Sequence, residues 1–153
     1  MRIEAASIDD ADVSDLMTLH QRRMFEASPP GTSFALDING LRRPEISLFA
    51  ARDANRLRGV CALRQLSEVE GELKSMRRSD DARGYGVGQA LLDHVILVCR
   101  QRRYHRLLLE TGTGPNFEAA NKLYALNGFT RCEAFGGYTA SALNTFYERT
   151  ITA

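Results

Sequence analysis

Arg83-Gly84-Tyr85-Gly86-Val87-Gly88, continued by Gln89-Ala90-Leu91-Leu92-Asp93-His94-Val95-Ile96-Leu97-Val98, is the stretch that decides how this chain is read. Glycine takes every second position and then gives way to an apolar stripe of helical period. Val87, Leu91, Val95 and Val98 form the stripe, and Ala90, Leu92, Ile96 and Cys99 widen it. The spacing predicts a helix from Val87 to about Arg102. The first N–H groups of such a helix find no acceptor inside it, and glycines leave room for a ligand to approach them. Loop and helix together make an anion cradle.

Upstream, Ser67 to Met76 alternates Val69, Gly71, Leu73 and Ser75 with Glu70, Glu72, Lys74 and Met76, which is strand spacing. Downstream, Arg106 to Thr111 is apolar enough for a central strand covered on both faces. Strand, helix and strand in this order make one parallel β-α-β unit. Towards the N-terminus, Arg2 to Ser7 reads as a short strand. Ser7 or Asp9 caps a helix with Val13, Leu16, Met17, Leu19 and His20 on its stripe. Gln21 to Ala27 reads as a separate short helix or irregular piece before the breaker Ser28-Pro29-Pro30-Gly31. Thr32 to Pro44 has no clear pattern beyond some helical character from Phe34 to Leu41. Ile46 to Arg52 and Leu57 to Gln65 form a hairpin around the turn Asp53-Ala54-Asn55-Arg56. After the Gly112 to Asn116 loop, a helix from Phe117 to Asn127 stops at Gly128. Phe129 to Glu133 and Phe146 to Ile151 are closing strands. The expectation is one domain over residues 1–153, of mixed α/β (α+β) class.

Composition narrows the functions. With 44% hydrophobic residues, 25% charged residues and a net charge of +1, the chain reads as an ordinary globular protein. It shows no electrostatic footprint for nucleic acid or membrane. The start MRIEAASIDD lacks an apolar leader core, and no apolar run nears the ~20 residues that span a bilayer, so the reading is cytoplasmic. Cys61, Cys99 and Cys132 are odd in number and scattered, as free thiols of a reducing compartment would be. His20, His94 and His105 have no metal-ligand spacing, and no metal is expected.

A dinucleotide fingerprint, Gly-x-Gly-x-x-Gly, has the right setting, with Glu110 at the end of the next strand. Its third glycine is missing, since Gln89 or Leu91 stands there. A nucleoside-triphosphate loop would end in Gly-Lys-Ser/Thr, which is absent. The pattern Arg-x-x-Gly-x-Gly, carried by Arg83, Gly86 and Gly88, instead resembles the acyl-CoA pyrophosphate loop of the GNAT N-acetyltransferase superfamily. Leu123-Tyr124-Ala125-Leu126-Asn127-Gly128-Phe129 matches the Leu-Tyr-x-x-x-Gly-Phe segment of that family. The element order is similar across nearly the whole chain. The ending, Phe135-x-x-Tyr138 with Phe146, resembles small bacterial members.

The resemblance implies the GNAT acyl-CoA N-acyltransferase fold: a central mixed, mostly antiparallel sheet with one splayed parallel pair, flanked by helices. It implies acetyl-CoA as co-substrate and direct transfer to a primary amine of a small molecule or peptide. Arg83, Gly84, Tyr85, Gly86, Val87, Gly88 and Gln89 would hold the pyrophosphate. The backbone of Lys74, Ser75 and Met76 would pair with the pantetheine arm, and a backbone N–H there would hold the developing oxyanion. Tyr124 matches the general acid of many members. Glu70, thirteen residues before Arg83, has the spacing of the base in histone-acetylating members, and Glu72 shares its face; either one, or a water, would take the amine proton. Met24, Phe25, Phe34 and Tyr138 would surround the acceptor, an aromatic, weakly charged lining that disfavours a polycation. Many members have asparagine where Phe117 stands, with Asn116 one place off. Relatives that pair through their last strands imply a homodimer. The other readings are an acyl-CoA-binding module without catalysis and a nicotinamide-dependent oxidoreductase.

Overall fold

The computed structural model describes residues 1–27, 38–82 and 84–152. Its strands are β1 (Arg2–Ala6), β2 (Ile46–Asp53), β3 (Arg56–Gln65), β4 (Glu70–Arg78), β5 (Arg106–Gly112), β6 (Thr130–Arg131) and β7 (Asn144–Thr150). Its helices are α1 (Ala11–Ala27), α2 (Val87–Gln101) and α3 (Glu118–Leu126). The strands form one seven-stranded sheet in the order β1-β2-β3-β4-β5-β7-β6. Among the described strands only β4 and β5 run parallel, joined through α2; every other neighbouring pair is antiparallel.

Strand alternation sends successive side chains to opposite faces, so the sheet has two cores. On one face Leu63, Leu73, Leu107 and Leu109 meet Leu91, Val95 and Cys99 of α2 and Tyr124 of α3. On the other, Val13, Leu16 and Met17 of α1 cover Leu48, Ala50, Val60 and Ala62. Each fully buried Leu or Val of these cores contributes about 1.5–3 kcal/mol. Among the described residues, no helix is long and apolar enough to cross a membrane.

Several boundaries differ from the sequence reading. α1 continues unbroken through Gln21 to Ala27, and Arg23 in its last turns forms a bidentate pair with Asp80 at 2.8 Å. The β2–β3 turn holds two residues, not four, because Asp53 pairs with Arg56. That tightness needs a left-handed residue, and Ala54 adopts φ +54 while its carbonyl accepts a bond from Arg2. Ser67 belongs to the turn before β4, where the Leu66 and Ser67 N–H groups both donate to the Glu70 carbonyl. β4 then runs on to Arg78. α3 starts at Glu118 after a single tight turn over Pro115–Phe117. The strand expected over Phe129 to Glu133 shrinks to Thr130–Arg131. The stretch expected to be partly helical from Phe34 to Leu41 falls largely outside the described residues.

Candidate active site

The site begins where two strands part. β4 and β5 keep parallel register from Glu70 opposite Arg106 to Leu73 opposite Leu109, and no further. Beyond that point β5 stays with β7 to Gly112, and β4 stays with β3 to Arg78. A bulge in β4 separates them. Lys74 pairs with Ala62 and Arg77 with Val60, so Ser75 and Met76 together face Cys61. Ser75 takes φ +54, outside the strand region. The extra residue also resets the alternation. Met76 joins the α2 core alongside Leu73 and leaves the Glu72 and Lys74 face, contrary to the simple period-two reading. Main-chain groups of Lys74 to Met76 thus edge a gap without a ladder partner from β5.

The glycine loop lies at the start of α2. Gly84 and Gly86 adopt φ +86 and +70, and among the described residues a β-carbon at either would meet no atom within 4 Å. Their requirement is conformational, and the space beside them is open. Gly88 differs: its φ is ordinary, and an added β-carbon would lie 3.3 Å from Leu123 of α3. Gly86 offers no capping side chain, and the first intrahelical bond comes from Ala90 N–H to the Gly86 carbonyl. The N–H groups of Val87, Gly88 and Gln89 therefore point out of the helix end, and among the described residues none has an acceptor. Val87 is buried, Tyr85 is exposed, and the Arg58 guanidinium sits 5.7 Å from the Tyr85 ring centre. The Gln89 side chain is committed elsewhere: it exchanges two hydrogen bonds with Asn127 and donates a third to Asp93. Only its main chain is available to a ligand. Arg83 and Phe34 lie outside the described residues.

Tyr124 rises from α3 into the α2 core, edge-on to Phe129 and tilted against Tyr147. Its hydroxyl makes no hydrogen bond to a described residue. Burial holds the phenol well above its ordinary pKa, and the neighbouring Cys61 thiol adds to the shift. Cys61 is the β3 residue that faces the bulge. Phe117, where many family members have asparagine, fills the space beneath Gly112; a β-carbon there would fall within 2.6 Å of the ring. Asn121 holds this corner by donating to the Gly112 and Phe117 carbonyls. Asn116 is exposed.

The opposite face of the gap is polar. Glu72 is 1% exposed. Its Oε2 accepts a 2.5 Å bond from the Tyr138 hydroxyl and pairs with Lys74 Nζ at 3.2 Å. Lys74 also donates to the Tyr138 hydroxyl and lies 5.0 Å from that ring's centre. Glu72 Oε1 is buried without a partner among the described residues. Phe135, Tyr138 and Phe146 pack edge to face around this group, with centroids 5.3 to 5.8 Å apart. Glu110 stands across the gap, where burial raises its carboxyl above the usual range against the pull of Lys74. Glu70 lies where the strands are still paired, bound by Arg106, which also pairs with Glu148. Met24 is half-buried on α1, whereas Phe25 is 73% exposed. Sequence reasoning did not find the Lys74 ammonium or Glu110 in this cluster. Lys74 and Tyr138 are 64 residues apart, and no periodicity links them.

The model of the GNAT acetyltransferase family matches residues 13–129. The N-acetyltransferase YedL of Escherichia coli (strain K12), itself uncharacterized, is 37% identical over 91% of this chain and 87% of its own. YsnE of Bacillus subtilis (strain 168), likewise an uncharacterized N-acetyltransferase, is 36% identical over 99% of this chain and 100% of its own. A Klebsiella pneumoniae structure assigned as an acyl-CoA N-acyltransferase superposes with TM-score 0.78 at 27% identity, covering 99% of this chain and 97% of that one. A GNAT family acetyltransferase from Elizabethkingia anophelis, solved with acetyl-CoA bound, gives TM-score 0.71 at 17% identity, covering 97% of each chain. The chain belongs to the GNAT acetyltransferase family and is an N-acetyltransferase with an acyl-CoA co-substrate.

Proposed function

We propose that this enzyme transfers an acetyl group from acetyl-CoA directly to a primary amine while both are bound. The observation that carries the reading is the parting of β4 from β5 after Leu73 and Leu109, together with the outward N–H groups of α2. The residues fit the co-substrate. The helix start with its open glycines suits a pyrophosphate, and Arg83 adjoins it in sequence. The free edge of Lys74, Ser75 and Met76 suits the amides of a pantetheine arm, as an added strand would. Bound there, acetyl-CoA supplies an acetyl group activated as a thioester.

Glu72 takes the proton that the amine sheds as its nitrogen bonds to the acetyl carbon and the carbon–sulfur bond breaks. Tyr138 and Lys74 fix one oxygen of Glu72 and leave Oε1 to receive that proton, directly or through water. Glu70, tied to Arg106 below the gap, is the weaker candidate. Tyr124 donates its hydroxyl proton to the departing sulfur; a phenol is already neutral at physiological pH, and burial holds it so. Glu72 then gives its proton to solvent, and Tyr124 is reprotonated before the next turnover. Acid and base stand on opposite faces of the sheet, and the gap between the strands joins them.

Titration calorimetry with acetyl-CoA tests the reading. Wild type should give a saturable heat, and Gly86→Leu should bind at least about tenfold more weakly. Its side chain would enter the open space over the N–H groups, and φ +70 would cost about 1–2 kcal/mol in a non-glycine residue. Equal binding by both proteins sinks the assignment of the loop.

A further inference from the structure

We propose that the acceptor is an α-amino acid, held by both its amine and its carboxylate at the Glu72–Lys74 pair. This rests on the reading above, with Glu72 as the base.

Glu72 and Lys74 are buried against each other, with side-chain exposures of 1% and 7%. The pair is not saturated. Among the described residues, Glu72 Oε1 is enclosed with no donor. Lys74 carries three N–H donors and, among the described residues, spends two, one on Glu72 Oε2 and one on the Tyr138 hydroxyl. An unspent acceptor and an unspent donor thus lie one salt bridge apart. A ligand complementary to them presents an N–H donor and an anionic acceptor at similarly close range, as the amine and carboxylate of an α-amino acid do.

The charge balance during the reaction points the same way. A simple ammonium would come to a carboxylate that already has a cation 3.2 Å away, and like charges would crowd there. When Glu72 accepts the amine proton its charge is gone, and Lys74 would remain as a buried cation without its counter-ion, a costly state. A carboxylate on the acceptor keeps Lys74 paired throughout. Glu110 is the competing anion, because it stands across the gap within electrostatic reach of both residues. If Glu110 served instead, amines lacking a carboxylate would react equally well.

The test is thiol release from acetyl-CoA with two matched sets of acceptors. One is L-phenylalanine, L-phenylalaninamide and phenethylamine; the other is L-methionine, L-methioninamide and 3-(methylthio)propylamine. Wild type, Lys74→Arg and Lys74→Met are compared, with acetyl-CoA binding measured on each by calorimetry. In wild type, kcat/KM for the free amino acids should exceed that for their amides and amines by about tenfold or more, the scale of one charge-assisted hydrogen bond. Lys74→Arg should keep the preference, and Lys74→Met should erase it. The wild-type ratio alone decides the matter should Lys74→Met fail to fold. Equal or faster reaction of the amines, a preference for the amides as protein N-termini would give, an unchanged ratio in Lys74→Met, or no release with any of the six would each overturn the proposal. A wild-type protein that fails to bind acetyl-CoA would instead overturn the reading beneath it.

Discussion

Tyr124 and Tyr147 share one core, with ring centroids 6.1 Å apart, and removing the hydroxyl from each should have opposite consequences. The Tyr147 hydroxyl donates to Asn121 Oδ1 at 2.8 Å, and Asn121 in turn holds the Gly112 and Phe117 carbonyls. Tyr147→Phe loses that bond and strands a half-buried acceptor, a cost of about 1–2 kcal/mol. For a chain of this size that lowers Tm by about 3–8 °C. The Tyr124 hydroxyl has no protein partner among the described residues, so Tyr124→Phe gives up no hydrogen bond, and its Tm should match or exceed that of wild type. Its turnover should fall by about 100-fold or more, the usual size of a general-acid contribution, while acetyl-CoA affinity changes by less than about threefold. Thermal unfolding, calorimetry and thiol release with the best acceptor read the three quantities. A pH arm adds a sign. Because burial raises the Tyr124 pKa, the native state keeps a proton that the unfolded chain releases above pH ~10. Stability is therefore lost as pH rises past that point, and Tyr124→Phe should soften the loss. A Tyr124→Phe protein that turns over normally refutes the acid role. One that melts as low as Tyr147→Phe shows that the hydroxyl has a structural partner.

Other outcomes follow from the same geometry. Glu72→Leu and Lys74→Met should each lower stability by about 3 kcal/mol by taking the salt-bridge partner from a buried charge, whereas the double variant should recover most of it; urea unfolding of the four proteins would contradict this if the two losses simply added. Burial lowers the His20 pKa from 6.5 to about 4, so the native state binds fewer protons than the unfolded chain between those values. Stability should drop by up to about 3 kcal/mol as pH falls through that window, and a His20→Gln variant with the same pH slope would show the cause to lie elsewhere. Burial pushes Cys61 up to about 12 and Cys99 to about 11, and both are enclosed. Iodoacetamide at pH 8 should therefore label only Cys132 in the native protein and all three thiols in denaturant, as mass spectrometry can read.

The β-α-β centre was legible because its cues are local. The α2 stripe and the apolar run of β5 repeat at their own periods, and Leu107 and Leu109 are buried as that pattern requires. What escaped depends on backbone geometry or distant contacts. Ala54 and Ser75 take positive φ against their residue type, so a two-residue turn and a bulge arose where composition suggested a longer turn and an even strand. α1 runs past Gln21 with an anchor at Asp80, 57 residues from Arg23. The loop's glycines were noticed for their spacing, but Gly84 and Gly86 serve conformation, whereas Gly88 faces Leu123. Glu110 drew notice only as a dinucleotide contact, since nothing in its neighbourhood in sequence places it near Lys74.

The reciprocal amide bond between Gln89 and Asn127 joins the first turn of α2 to the end of α3, where Asn127 also donates to the Leu123 carbonyl. One helix carries the outward N–H groups and the other carries Tyr124. The clasp makes them a gauge whose span is preset before anything binds. On the reading proposed above, that span measures the arm between the anionic end of the co-substrate and its reacting sulfur. Acyl thioesters on a shorter carrier would engage one jaw without reaching the other.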